Sequence, residues 1–377
     1  MPSTEETTAK VDEDEKTPLF TPPLWQQRRA LVSQILRSHG VESVLDLGCG
    51  AGALLEILLN DTTYGRLAGV DIDLPSIEAA AHSCQPADYD KRFLRELPVE
   101  LNLYVGSVAE ADSRLFEYDG IASVEVIEHL DPPVLEAFPM TTLGTYKPKV
   151  MVVSTPNADF NVNFPGLKYG TPGSVMRNDD HRFEWTRKEF QDWAQNAART
   201  YNYTVSFTGV GLLTSPLHQN VGHCTQIAIF TRNSSPTNPS SPTPTPTNTH
   251  NPYTHHTTIT FPYFTESGFT TTDIVSELRD RTTYLFYNEI DDRNRLLPNN
   301  HTSNINTPPP WPKAGAIILP LDKYWNILRV RQICKKKVKL LEALRSEEAE
   351  RVFELVDGGE GVRILYDIPP ERREGGE

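Results

Sequence analysis

The chain has 377 residues, 38% of them hydrophobic and 23% charged, so it is long enough to bury at least one large core. Its formal net charge of −14 argues against a protein that coats nucleic acid non-specifically, because such proteins carry positive fields. Four scattered cysteines without a C-x-x-C pair, and the lack of any run of eighteen apolar residues, predict a reduced cytoplasmic or nuclear protein without a membrane span.

The N-terminal segment is predicted to be a disordered tail followed by a helix. Residues 1–18 are rich in Glu, Asp, Thr and Lys, a composition that cannot support a packed core. Pro22 and Pro23 then preset an extended entry to an amphipathic helix that runs to Leu36. Two arginines in that helix, Arg28 and Arg29, form either a phosphate clamp or a solvated helix face, and the second interpretation is the more ordinary one.

Strand-like and helix-like segments alternate from Ser43 onward, which predicts a parallel sheet. An antiparallel pair closes the series, and seven strands with such an ending are the layout of class I, Rossmann-like methyltransferases. We therefore predict an α/β fold with a seven-stranded, mostly parallel sheet in a domain at 19–232. The predicted strands are 43–47, 67–72, 101–105, 121–127, 150–154, 203–207 and 225–230, and the predicted helices are 53–59, 75–83 and 186–200.

The loop after the first strand, Asp46–Gly52, places three glycines between a strand and a helix. Backbone without side chains can approach a ligand closely there, and the helix N-terminus offers free N–H groups. A nicotinamide site is the alternative, since Gly48, Gly50 and Ala53 also fit G-x-G-x-x-A. The spacing G-x-G-x-G favours S-adenosylmethionine, and Asp46 adds a carboxylate suited to its cationic amine.

Two later strand ends complete the predicted cofactor site. Asp71 ends the second strand and is positioned for a ribose diol. Ser107 and Val108 follow the third strand and are predicted to border the adenine. The predicted cofactor-binding residues are therefore Asp46, Gly48, Gly50, Asp71, Ser107 and Val108.

The fourth predicted strand ends in Glu125-Val126-Ile127-Glu128-His129, which packs two carboxylates and an imidazole into five residues. Once the chain turns into a helix, Glu125, Glu128 and His129 lie on one face. Oxygen and imidazole ligands suit Mg²⁺, Mn²⁺ or Zn²⁺, and the mixture favours the harder ions. For the pentad alone, a capped turn after a strand is the alternative.

The composition changes abruptly after Arg232. Residues 233–258 are mostly Pro, Thr, Ser and Asn, which predicts a linker, because such a segment cannot offset its ordering entropy. Residues 259–370 are predicted to form a small α+β accessory region, and 371–377 a disordered tail. Within the accessory region the predicted strands are 259–264 and 283–287, and the predicted helices are 321–328 and 338–356.

One basic cluster stands out in the accessory region, formed by Lys335, Lys336, Lys337 and Lys339. A solvated helix face is the default interpretation of such a cluster. A surface that docks the body of an RNA or a protein partner is the alternative.

Several of these stretches together resemble the Hua enhancer family of small-RNA 3′-terminal 2′-O-methyltransferases. The resemblance implies that Glu125, Glu128, His129 and His181 form a two-Glu, two-His site for Mg²⁺ or Mn²⁺. The run from Arg177 to Arg187 is its most specific part. The other matching stretches are Phe20-Thr21-Pro22-Pro23-Leu24 with Gln27-Arg28, the Asp46–Gly52 loop, the Glu125–His129 pentad and Ser154-Thr155-Pro156-Asn157.

The family implies methylation of the 2′-OH of the 3′-terminal nucleotide of a small RNA, dependent on S-adenosylmethionine and a divalent metal, which protects the RNA. A class I O-methyltransferase for a small molecule and a non-catalytic RNA 3′-end-binding protein are the alternatives. The small RNA is then the expected partner, an Argonaute-type RNA carrier is a further candidate, and a monomer is expected. Candidate RNA contacts are Arg28, Asn157 and Arg177, with a turn role as the alternative for Asn157.

Overall fold

The computed structural model describes residues 20–213, 221–233, 250–296 and 314–368. Both predicted tails and most of the predicted linker lie outside these residues. The chain divides into two compact units: the first combines Met1–Gln85 with Val99–Thr260, and the second combines Pro86–Pro98 with Phe261–Glu377. No helix among the described residues is both long and apolar enough to cross a membrane.

The first unit is built around one eight-stranded sheet. Its strands are β1 Ser43–Leu47, β2 Arg66–Asp71, β3 Glu100–Val105, β4 Gly120–Val124, β5 Val150–Pro156, β6 Tyr203–Val210, β7 Thr225–Arg232 and β8 Thr254–Thr260. They lie in the order β6-β7-β5-β4-β1-β2-β3-β8, with β1 to β5 parallel and β7 and β8 antiparallel to their neighbours. The predicted Rossmann-like fold with its antiparallel pair is confirmed, and β8 is an additional strand.

The helices of the first unit follow the predicted alternation. A π-helix, Met140–Tyr146, follows the fifth helix directly. In chain order the helices before β6 are α1 Leu24–Ser38, α2 Ala53–Leu59, α3 Leu74–Ser83, α4 Asp88–Arg92, α5 Pro132–Pro139 and α6 Arg187–Tyr201, of which α4 belongs to the second unit.

Local sequence explains both ends of α6. Thr186 caps its start, where the Thr186 hydroxyl accepts from the Glu189 N–H and the Glu189 side chain accepts from the Thr186 N–H. Asn202 ends the helix in the left-handed conformation. The buried residues follow helical spacing, so one face packs into the core; they are Phe190, Ala194, Ala197 and Ala198.

The strand β8 corrects the predicted linker, which was expected to run to residue 258. β8 begins at Thr254 and pairs with β3 from Glu100↔Thr260 to Val105↔Thr254. The sequence did not predict β8 because the segment is rich in Thr and His. As an edge strand it buries few side chains, and only Ile259 in β8 is buried. The predicted strand 259–264 is accordingly displaced toward the N-terminus.

Among its described residues, the second unit combines five α-helices with a three-stranded antiparallel sheet, in the order β10-β11-β9. Besides α4, its elements are α7 Thr271–Leu296, β9 Ile317–Pro320, α8 Leu321–Trp325, α9 Leu328–Cys334, α10 Lys337–Leu344, β10 Phe353–Val356 and β11 Gly361–Ile364. The predicted long helix 338–356 is wrong beyond Leu344, since its end forms β10.

The predicted strand 283–287 is also wrong, because these residues lie inside α7. Their aromatic and β-branched composition favours a strand locally. The residues buried along α7, however, recur at helical spacing: Ile274, Leu278, Thr282 and Leu285. Burial of that one helical face decides the structure.

Lys335 and Lys339, from the basic cluster, are engaged inside the second unit. The Lys335 ammonium donates to the carbonyl oxygens of Glu96 at 3.0 Å and of Phe264 at 2.5 Å. Lys339 donates to the carbonyl oxygen of Phe269 at 3.3 Å. Neither a solvated face nor a docking surface therefore describes these two lysines, whose main contacts hold the unit together.

We predict that Lys335→Met lowers the free energy of unfolding, whereas Lys336→Met at the exposed neighbouring position does not. The loss should be about 1–3 kcal/mol, because two carbonyl oxygens lose a charged donor. Urea denaturation followed by circular dichroism measures both variants. Equal denaturation midpoints for the two variants would contradict the structural role of Lys335.

Candidate active site

A tight turn at the carboxyl end of β4 places the acidic pentad. β4 ends at Val124, and Glu125 has a φ of 57°, in the left-handed region that L side chains rarely adopt. The Glu125 N–H donates to both the carbonyl and the hydroxyl oxygen of Ser154, each at 3.1 Å, which holds the turn. The predicted strand is therefore wrong from Glu125 to Ile127, and a 3₁₀ helix, Ile127–His129, follows instead.

The two apolar residues at the centre of the pentad, Val126 and Ile127, make packing contacts although neither lies in a strand. Ile127 is fully buried. Val126 lies against Gly48, where an added Cβ would stand 2.4 Å from Val126 Cγ2. Gly48 also has a φ of 76°, so glycine is required there on both counts.

A cavity of about 640 Å³ lies beside this turn, a volume typical of small-molecule sites. The Asp71 carboxylate accepts from the Gly50 N–H at 2.8 Å and so ties the glycine loop to the end of β2. The structure thus brings five of the predicted cofactor residues to one cavity: Gly48, Gly50, Asp71, Ser107 and Val108.

The sixth predicted cofactor residue, Asp46, lines an adjoining cavity of about 280 Å³ together with Arg28 and Arg29. Gly48 and Gly50 line both cavities. Burial, with a smaller contribution from the charge of Asp71, raises the pKa of Asp46 to about 7. A cation placed beside Asp46 would therefore lower the pKa of this carboxyl group and favour loss of its proton.

Three predicted metal ligands converge next to the larger cavity. Ligand atoms of Glu128, His129 and His181 all lie within 4.8 Å of one another. Glu128 is fully buried; its Oε2 accepts from the Thr155 hydroxyl at 2.9 Å, and its Oε1 has no hydrogen-bond partner among the described residues. Burial, followed by the nearby charge of Glu125, raises the pKa of Glu128 to about 8. An orphaned carboxylate oxygen beside two imidazoles fits a divalent cation.

Glu125, the fourth predicted ligand, is not part of this group. Its Oε1 accepts from the Ser154 hydroxyl at 2.8 Å, and its Oε2 lies 3.4 Å from Arg28 Nη1. The Arg28 side chain is 20% exposed and also donates to the Thr225 hydroxyl. Arg28 therefore neutralises an acidic residue of the site, which is a more specific role than either sequence interpretation gave it.

A backbone hydrogen bond brings the loop of His181 to the pentad. The Arg182 N–H donates to the carbonyl oxygen of Glu128 at 2.7 Å. The Arg182 guanidinium also pairs with Asp131 at 2.8 Å. As a result the rings of His129 and His181 meet edge to face, with their centroids 4.9 Å apart.

Carboxylates orient both imidazoles. His181 Nδ1 lies 2.8 Å from the buried Glu184 Oε1, and His129 Nδ1 lies 3.3 Å from Asp180 Oδ2. Because an ionised carboxylate only accepts, a carboxylate at Nδ1 favours the proton on that nitrogen and leaves Nε2 as the atom that could bind a metal. This is the arrangement that prepares histidine to bind a metal.

Arg177, predicted as an RNA contact, is used inside the protein. Its Nε donates to Asn161 Oδ1 at 2.6 Å, its Nη1 to the Cys224 carbonyl at 3.0 Å and its Nη2 to the Asn157 carbonyl at 2.5 Å. It also stacks against Phe164, 5.2 Å from the ring centroid. Such a saturated guanidinium is a structural clamp, so the predicted phosphate contact is not supported.

Asn157 likewise has the turn role that was its alternative. Its side chain is fully buried, and its amide donates to the carbonyl oxygens of Val221 and His223, both at 2.8 Å. Its Oδ1 accepts from the Asp159 N–H at 3.0 Å and caps a 3₁₀ helix. The predicted RNA contact at this side chain is corrected accordingly.

Sequence reasoning assigned no role to Ser154, Thr155 or Glu184, although all three orient the site. A signal existed for the first two, because they stand near the carboxyl end of β5, which neighbours β4 in the sheet. Glu184 follows His181 by three residues, a spacing that allows the observed contact. A hydrogen-bonding role, however, cannot be told from a solvated side chain by spacing alone.

The methyltransferase-domain family matches residues 20–199. The mouse small RNA 2′-O-methyltransferase is 43% identical over 222 residues, which cover 58% of this chain and 53% of that protein. Its counterpart from Schizosaccharomyces pombe is 38% identical over 232 residues, covering 56% and 61%. The chain therefore contains a methyltransferase domain and is similar to small RNA 2′-O-methyltransferases.

Structural comparison agrees with this similarity. The crystal structure of small RNA methyltransferase HEN1 is 32% identical, with a TM-score of 0.52, and the match covers 65% of this chain and 29% of that chain. The chain spans about half the length of the curated relatives it matches. The methyltransferase domain supports S-adenosylmethionine as the cofactor.

We predict that S-adenosylmethionine binding releases a proton from Asp46. Because the pKa of Asp46 is about 7 without a ligand, affinity should be roughly tenfold lower at pH 6 than its plateau and should rise with pH. Calorimetry at pH 6 in two buffers of different ionisation enthalpy counts the protons released. Asp46→Asn should remove that release; an unchanged proton count would exclude Asp46 as its source.

Proposed function

We propose that the protein transfers a methyl group from S-adenosylmethionine to the 2′-OH of the 3′-terminal nucleotide of a small RNA. One observation carries the proposal: the cavity lined by Asp71 and Ser107 is also lined by His129 and Asp180. A methyl donor held by the first pair would therefore stand next to the histidine cluster. The mouse and fission-yeast relatives are named small RNA 2′-O-methyltransferases.

We further propose that a divalent cation, Mg²⁺ or Mn²⁺, is held by Glu128, His129 and His181. The support is the orphaned Glu128 oxygen, the proximity of the three ligand atoms and the carboxylates at Nδ1 of both histidines. Glu125 would complete the set predicted from the resemblance by exchanging Arg28 for the cation. A site with two carboxylates and two imidazoles suits these ions.

The residues of the site explain why a terminal ribose would be the target. When bound, a divalent cation lowers the pKa of a coordinated hydroxyl, as it does that of water. Only the 3′-terminal nucleotide offers adjacent free 2′ and 3′ hydroxyls, so a site that grips both identifies an RNA end. Glu128 and the two histidines are fixed by Thr155, Glu184 and Asp180, and such preorganisation favours in-line positioning.

The remaining expectations belong to the same proposal. An Argonaute-type carrier of the RNA and a monomeric enzyme are proposed from the resemblance, and a cytoplasmic or nuclear location is proposed from the composition. The proposed methyltransferase domain extends beyond the predicted boundary at Arg232, because β8 completes its sheet.

Radiolabelled methyl transfer to synthetic small RNAs tests the function. The RNAs carry an intact terminal ribose, a 2′-deoxyribose or a 3′-phosphate, and each is assayed with and without EDTA. Only the intact end should accept the methyl group, and EDTA should abolish transfer until Mg²⁺ or Mn²⁺ is restored. Methylation of the 2′-deoxy RNA would show that an atom other than the 2′ oxygen is the acceptor. Transfer that persists in EDTA would exclude a requirement for a divalent cation.

A second prediction concerns Glu184, a positioning residue. Glu184→Gln should weaken Mn²⁺ binding by about 10–100-fold, because His181 loses the carboxylate that orients it. Electron paramagnetic resonance titration measures free Mn²⁺, with exposed Glu136→Gln as the matched control and His181→Ala as the reference for a lost ligand. If Glu184→Gln and Glu136→Gln bind Mn²⁺ equally, Glu184 does not support a metal ligand.

A further inference from the structure

A segment outside the matched methyltransferase region, residues 250–260, is fastened to the loop that follows β3. The carbonyl oxygen of His250 accepts from the Ser113 N–H at 3.1 Å, and Asn251 Oδ1 accepts from the Ser113 hydroxyl at 2.5 Å. The Tyr253 N–H donates to Asp112 Oδ2 at 3.1 Å, and Arg114 donates to the Tyr253 carbonyl at 2.5 Å. Four hydrogen bonds thus tie this segment to residues 112–114.

The side chain of Tyr253 reaches the part of that loop nearest β3. Its ring is buried, and its hydroxyl lies 2.9 Å from the Ser107 carbonyl oxygen and 2.6 Å from the Glu110 carbonyl oxygen. The ring also packs on Gly106, where an added Cβ would stand 2.2 Å from Tyr253 Cδ1. Gly106 is therefore required by the ring, and the hydroxyl joins two carbonyls of one loop.

The π-helix Met140–Tyr146 fixes the same loop through different atoms. The Thr141 hydroxyl donates to the Ala109 carbonyl at 2.8 Å, and the Asp112 N–H donates to the Tyr146 hydroxyl at 3.0 Å. The Tyr253 hydroxyl instead bonds to the carbonyls of Ser107 and Glu110. It therefore holds two residues of the loop to which these two bonds of the π-helix do not reach.

This portion borders the cofactor cavity. Gly106, Ser107 and Val108 line the 640 Å³ cavity that Asp71 also lines. We propose that Tyr253 is a positioning residue for S-adenosylmethionine: it holds residues 106–110 in the shape that receives the cofactor. The inference rests on the proposed use of that cofactor. It extends the cofactor site beyond residues 20–199, the part matched by the methyltransferase-domain family.

Tyr253→Phe tests the proposal, because it deletes one oxygen and leaves the ring against Gly106. Affinity for S-adenosylmethionine, measured by calorimetry on the full chain, should fall about three- to tenfold. In the methylation assay the KM for S-adenosylmethionine should rise by a similar factor while kcat stays unchanged. Hydrogen–deuterium exchange of the free protein should be faster at residues 106–110.

Tyr203→Phe is the matched control. It removes an equivalent buried bond, from the Tyr203 hydroxyl to the Pro148 carbonyl at 2.8 Å, in β6, far along the sheet from β3. Circular dichroism confirms that both variants fold. Equal affinities in Tyr253→Phe and wild type, or equal losses in Tyr253→Phe and Tyr203→Phe, would overturn the positioning role. A wild-type protein that binds no S-adenosylmethionine would instead overturn the proposed function on which the inference rests.

Discussion

The strained turn at Glu125 is the constraint on which the candidate site depends. A left-handed residue other than glycine costs on the order of 1–3 kcal/mol, and Ser154 on the neighbouring strand offsets that cost with hydrogen bonds. Because the chain turns there and not later, Val126 contacts Gly48 of the glycine loop while His129 lines the cavity. Buried Glu128 lies beside His129. The backbone conformation at Glu125 therefore couples the glycine loop to the cluster of Glu128, His129 and His181.

The cluster is assembled by the polypeptide itself. His181 lies far from the pentad in sequence, and only the resemblance to a known family predicted that they would meet. The Arg182–Glu128 backbone bond already joins the two loops, and the Arg182–Asp131 ion pair adds to it. A cation would then enter a site whose ligands are mostly placed, which reduces the ordering entropy that binding must overcome.

Sequence reasoning succeeded where local pattern and parallel-sheet geometry determine structure, and it failed where distant contacts decide. The glycine loop and Asp71 line one cavity, as predicted, because residues at neighbouring carboxyl ends of parallel strands meet. Strand β8 was missed because an exposed Thr-rich edge strand resembles a linker until its partner, β3, is known. Arg177 was misassigned because a guanidinium that clamps backbone carbonyls has the same sequence signature as one that binds phosphate.

The division of the second unit between two distant stretches of chain has a consequence for its biosynthesis. Its first piece, Pro86–Pro98, is made early, yet buried Glu96 pairs with Arg331 and the Leu94 carbonyl accepts from Gln332. Translation proceeds from the N-terminus, so these groups stay without those partners while more than two hundred further residues are synthesised. These two contacts of the second unit can therefore form only after Arg331 and Gln332 have been synthesised.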